Sequence, residues 1–130
     1  MLTISAMSLR HLAAITFLLL PGFTGAMWAV DEFNFISYNL KNYLKMDRRI
    51  DGKLSKNALK PEEEISHLVK IIASAQPAVI GVSEMGDLDD FSDFKSRLAE
   101  AGLSCPHSEL TFGADPVRHV GLLSKFPITS

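Results

Sequence analysis

The sequence predicts an α/β domain (α+β in the looser sense) whose first half is a parallel strand–helix–strand unit. Two runs of strand type, FNFISYNL at 33–40 and AVIGVSE at 78–84, flank a segment whose apolar residues recur at helical spacing: Ile65, Leu68, Val69 and Ile72. The chain has 130 residues, 47% hydrophobic and 22% charged, which suffices for one ordinary core. A crossover through a helix makes the two strands parallel and puts their C-terminal ends on one edge of the sheet.

Residues 1–30 stand apart. Arg10 is the only Lys or Arg before Lys41, and Leu12–Leu20 (LAAITFLLL) is an uncharged apolar stretch. Pro21, Gly22 and the small residues up to Ala26 follow, which is the pattern of a secretory signal peptide. The expectation is a signal over residues 1–26, cleaved after Ala26 or, as second choice, after Ala29, and a secreted or periplasmic mature chain of 27–130. The competing reading is an N-terminal membrane anchor, since Leu12–Val30 carries no charge, although Pro21, Gly22 and Gly25 interrupt it. No stable membrane span is expected once the signal is removed.

The strand at 33–40 is rich in aromatics and isoleucine. Residues 41–60 follow as a long loop with Asp51-Gly52 as its turn signal. This stretch holds seven basic side chains against Asp47 and Asp51, a basic loop on an otherwise acidic body. Pro61 suits the first helical position, and Glu62, Glu63 and Glu64 suit the positive helix end. Gln76-Pro77 ends that helix. A second helix spans 88–101, with Asp87 as N-cap, Phe91, Phe94 and Leu98 as its buried stripe, and Gly102 as its stop. Two further strands are expected at 103–112 and 117–124. The single cysteine, Cys105, excludes an internal disulfide. The sequence contains no dinucleotide, Walker or nucleophile-elbow motif, and His67, His107 and His119 do not form a zinc pattern.

Asn39 ends the first strand and Glu84 the second, so the topology brings a carboxamide and a carboxylate to one sheet rim. A strand-end carboxylate among oxygen-rich neighbours suits a hard cation such as Mg²⁺, and a basic segment beside it suits an anionic substrate. The same residues equally suit an ordinary exit from the core, with Asn39 bonded to its own backbone. For Arg118 the choice lies between a phosphate contact and a sheet-edge salt bridge.

SYNLKNYL, PAVIGVSEMGD and RHVGLLSKFPI, in this order, resemble the opening half of the endonuclease/exonuclease/phosphatase superfamily, the DNase-I-like fold. The resemblance covers residues 33–128. It implies part of a four-layer α/β/β/α sandwich and hydrolysis of phosphate esters, as in nucleases, phosphatases and phosphodiesterases. It makes Glu84 the ligand of Mg²⁺ (or of Mn²⁺ or Ca²⁺) and Asn39 the active-site amide. Lys41, Lys45 and Arg118 are the residues expected to touch substrate, a phosphate ester with nucleic acid among the candidates. Ser83 stands where many members have Gln. The family's catalytic Asp-His motifs have no counterpart here, so residues 27–130 are expected to form the N-terminal half of such a domain, exported, truncated and prone to self-association. The alternative from another class is a non-catalytic secreted remnant that binds anionic polymers or a partner through its basic loop.

Overall fold

The computed structural model describes residues 32–129. The signal-peptide reading falls on residues 1–30, outside the described region. Among the described residues, no helix is long and apolar enough to cross a membrane.

Among the described residues, six strands and two helices form a mixed α/β domain. Strand β1 (Phe35–Tyr43) pairs in parallel with β4 (Val79–Met85), with Phe35 opposite Val79 and Asn39 opposite Ser83. Strand β6 (His119–Ser124) pairs antiparallel with β4, and β5 (His107–Thr111) pairs antiparallel with β6, giving the order β1-β4-β6-β5. Helix α1 (Glu62–Ser74) is the crossover between β1 and β4, and α2 (Leu88–Glu100) follows β4.

The helices lie on one face of this sheet. Alternation sends Leu40, Ile80, Val82 and Leu123 into a core with Ile65, Leu68 and Ile72 of α1 and Phe91, Phe94 and Leu98 of α2. Gly121 gives α2 its close approach, because a Cβ there would stand 2.8 Å from the Phe91 ring. Among the described residues nothing covers the opposite face: Phe35 and Val120 are 58% and 59% exposed, and Phe33 meets Phe126 edge-on at 6.1 Å.

Both helix ends follow from local chemistry. The Asp87 carboxylate accepts from the Asp89 and Asp90 amides at 3.0 Å each, and Asp90 accepts back from the Asp87 amide, a reciprocal capping box. At the far end Gly102 has φ +87°, and the Leu103 amide reaches the Leu98 carbonyl at 2.8 Å, a Schellman closure. Pro61 is the N-cap of α1 rather than its first residue, in extended conformation and without a side-chain cap.

The basic stretch is not a loop. It is the end of β1 followed by a hairpin, β2 (Met46–Ile50) and β3 (Lys53–Ala58). Asp51 and Gly52, with φ of 51° and 78°, form its two-residue turn, which matches strand twist best when both φ values are positive. Charged side chains on the outward positions hide the alternation of Met46, Arg48 and Ile50 that faces inward. The last strand starts at His119 rather than Val117, because the Asp115 carboxylate takes the Val117 and Arg118 amides at 2.8 and 3.0 Å and folds those residues into a turn.

Candidate functional site

At the C-terminal edge of the β1–β4 pair both strands leave regular geometry at the same level. Between Asn39–Ser83 and Tyr43–Met85, β1 advances four residues while β4 advances two. Between Val82–Gly121 and Met85–His119, β4 advances three while β6 advances two. The extra residues are held in the left-handed region: Lys41 at φ 50°, Asn42 at 60° and Glu84 at 58°. Such conformations cost about 1 kcal/mol or more each outside glycine and persist where surroundings fix them. The Gly86 amide donates to the Tyr43 carbonyl at 2.9 Å and restores the pairing beyond the bulges.

These bulges aim Glu84 at Asn39. The Asn39 Nδ2 donates to Glu84 Oε1 at 2.8 Å, and the Asn42 backbone N–H donates to Oε2 at 3.0 Å. Asn39 Oδ1 accepts from the Lys41 N–H at 2.7 Å, which turns its NH₂ toward the carboxylate. Each carboxylate oxygen offers two lone-pair directions, so one on each remains for another partner.

A second tier surrounds this one. Arg118 Nε donates to Asn42 Oδ1 at 2.7 Å, and its Nη1 lies 3.5 Å from Asp115. The Val117 and Arg118 amides hold the Asp115 carboxyl below the usual carboxylate range. Lys60 Nζ donates to the Lys41 carbonyl at 3.3 Å and pairs with Glu64 at 2.7 Å. That bond from Lys60 lowers the Glu64 carboxyl. On the far side of Gly86, burial and then the neighbouring Asp87 charge raise the Asp90 carboxyl.

The structure therefore joins Asn39 and Glu84 directly. Lys41 takes part through its backbone, with its side chain exposed, and Arg118 arrives through Asn42. Lys45 is exposed beyond the end of β1, where its charge acts on Asp90, and among the described residues no hydrogen bond links it to Glu84. His119 is buried against the Phe112 ring at 4.5 Å, with no hydrogen-bond partner for Nδ1 among the described residues. Asn42, Arg48 and Lys60 escaped the sequence reading. One signal was available. Leu40 and Tyr43 are both buried, a spacing of three that a regular strand does not allow.

A groove of about 210 Å³ beside the site is lined by Tyr38, Asn39, Lys41, Lys60, Glu64 and His67. A larger one, about 610 Å³, lies away from these residues, between α1 and α2 beside the Arg97–Glu62 ion pair. Among the described residues no three His, Cys, Asp or Glu side chains gather to hold a metal. The donor set at the rim is one carboxylate with two free lone-pair directions, which fits a cation that keeps water and phosphate as its other ligands. Comparison with known protein families, with curated proteins and with solved structures returned no match.

Proposed function

We propose that this protein is a Mg²⁺-dependent phosphoester hydrolase of the endonuclease/exonuclease/phosphatase type, exported, with Glu84 as its cation ligand. The observation that carries the reading is the 2.8 Å bond from Asn39 Nδ2 to Glu84 Oε1, made between segments 45 residues apart at a sheet rim. Sheet rims at strand C-termini are where α/β folds build ligand sites. The resemblance of the sequence at SYNLKNYL and PAVIGVSEMGD supports the same pair. The open sheet face with Phe35 and Val120 suits cover by a second sheet, as a four-layer sandwich requires.

In this reading the chain's own residues supply binding and orientation. Glu84 presents one fixed carboxylate, because two N–H donors and a left-handed backbone leave it one orientation. Magnesium, when bound there, supplies charge neutralisation at the phosphate and a polarised ligand oxygen. Asn39 fixes the carboxylate with one amide hydrogen and keeps the other to offer a phosphate oxygen. Arg118, 43% exposed in its side chain, and the exposed Lys41 ammonium provide positive charge for the substrate's remaining oxygens.

The test is hydrolysis of bis(p-nitrophenyl) phosphate, with Mg²⁺ and with EDTA, by a form of the protein that carries the completed domain. Turnover that needs Mg²⁺ and that Glu84→Gln removes supports the reading. Metal-independent turnover, no turnover, or an unchanged Glu84→Gln variant overturns it.

A second reading rests on the hairpin and the residue that leads into it, where Lys45, Arg49, Lys53 and Lys56 are each exposed. A non-catalytic protein would use them to hold an anionic polymer, with affinity falling steeply as salt rises. Binding of heparin or single-stranded DNA that is lost in a Lys53→Ala/Lys56→Ala variant, without any hydrolysis, would favour it.

A further inference from the structure

We propose that Arg48 and Lys60, two cations of the basic segment, are positioning residues that lock the β1 bulge and thereby aim Asn42 and Asn39 at Glu84. The proposal rests on the reading of Glu84 as the cation ligand and adds how its orientation is set.

The seven basic residues of 41–60 divide by burial. Lys41, Lys45, Arg49, Lys53 and Lys56 are exposed, whereas the Lys60 side chain is 7% exposed and Arg48 is half-buried. A buried ammonium is unfavourable unless it is paired and fully hydrogen-bonded. Lys60 has Glu64 as its counter-ion and the Lys41 carbonyl as a second acceptor. Arg48 Nη2 donates to the Asn42 carbonyl and, at 2.9 Å, to the Leu44 carbonyl, while its Nε donates to the Ala58 carbonyl at 3.2 Å.

Two of these acceptors, the carbonyls of Lys41 and Asn42, share one property. Lys41 and Asn42 lie in the stretch where β1 slips against β4, so their carbonyls lack the regular ladder partner. Backbone carbonyls removed from water need another donor. Two cations provide it, and they do so for the residues at φ 50° and 60°. Arginine suits the task because its planar fork holds several acceptors at once, which an ammonium cannot do with the same geometry. The amides of Lys41 and Asn42 then face Asn39 Oδ1 and Glu84 Oε2. Hairpin, bulge and carboxylate thus form one rigid chain of contacts.

The test uses the full chain with three substitutions: Arg48→Lys, Lys60→Met, and Lys53→Met as an exposed control with the same loss of charge. Amide hydrogen exchange is followed at Lys41 and Asn42 and, as reference, at Ile80 and Val82. Mn²⁺ binding is followed by electron paramagnetic resonance. Arg48→Lys and Lys60→Met should speed exchange at Lys41 and Asn42 about tenfold or more, with Ile80 and Val82 little changed. They should weaken Mn²⁺ binding about tenfold, as loss of an outer support does. Lys53→Met should do neither. Arg48→Lys keeps the charge and most of the packing, so it decides the matter if Lys60→Met does not fold. Unchanged exchange at Asn42 in a folded Arg48→Lys variant overturns the proposal, as does equal acceleration at Ile80 and Val82. If wild-type protein binds no Mn²⁺, the cation reading fails while the exchange experiment still judges the positioning role.

Discussion

Glu84→Gln tests whether the carboxylate is built into the rim or merely emerges there. In the wild type Glu84 accepts two hydrogen bonds, from Asn39 Nδ2 at 2.8 Å and from the Asn42 N–H at 3.0 Å. Bonds to a charged group contribute about 1.5–3 kcal/mol each, and the half-exposed setting places these near the lower end, about 3 kcal/mol together. A glutamine amide has one oxygen. It keeps one neutral bond, about 1 kcal/mol, and turns its NH₂ toward the other donor. Asn39 cannot flip to compensate without surrendering the Lys41 N–H that its Oδ1 accepts at 2.7 Å. The net loss is about 2 kcal/mol, or a fall in Tm of about 8–16 °C for a domain of this size. Urea denaturation in EDTA, which removes any contribution from bound metal, would measure it. The double-mutant cycle with Asn39→Ala should give a coupling of about 1–1.5 kcal/mol, since the two side chains share one bond. Additive effects, or a Glu84→Gln variant within about 0.5 kcal/mol of wild type, would refute the reasoning, because uncoupled sites add within that margin.

Gly86→Ala should destabilise by about 3 kcal/mol, because the new Cβ would stand 1.9 Å from Asp90 Oδ2 and 2.8 Å from Leu44 Cβ, straining the α2 cap and the β1 end together; chemical denaturation checks it. Tyr43→Phe should cost only about 1 kcal/mol in a thermal melt, since the 2.5 Å bond to Asp93 is lost while Arg97 Nε still holds that carboxylate at 2.8 Å. Glu64→Gln should flatten the acid limb of stability. Lys60 lowers the Glu64 carboxyl in the folded state, so its contribution is present above about pH 4.3 and is lost as pH falls through the lower folded value. Glu64 is 58% exposed, which limits the effect to a few tenths of a kcal/mol, readable as a smaller drop in Tm between about pH 5 and pH 3.

Much of the scaffold was legible in the residues. The spacing of Ile65, Leu68, Val69 and Ile72 and that of Phe91, Phe94 and Leu98 depends only on the helical period, and all seven are buried. Asp87 and Gly102 act through backbone groups within a few residues of themselves, so local sequence determined both ends of α2. The strand–helix–strand order was enough to bring Asn39 and Glu84 to the same rim, because a crossover connection leaves two parallel strands little choice. Tertiary structure decided the rest. Whether Lys41, Asn42 and Glu84 bulge depends on the register with strands far along the chain, and that register is set by which side chains fill the core. Whether a cation faces water or a backbone carbonyl depends on where its segment docks, so composition made Arg48 and Lys60 look like their neighbours Arg49 and Lys56. The hairpin was hidden for the same reason: its outward positions are charged, and its inward Arg48 finds its acceptors on β1, just beyond it and at the end of β3, which only the folded chain brings within reach.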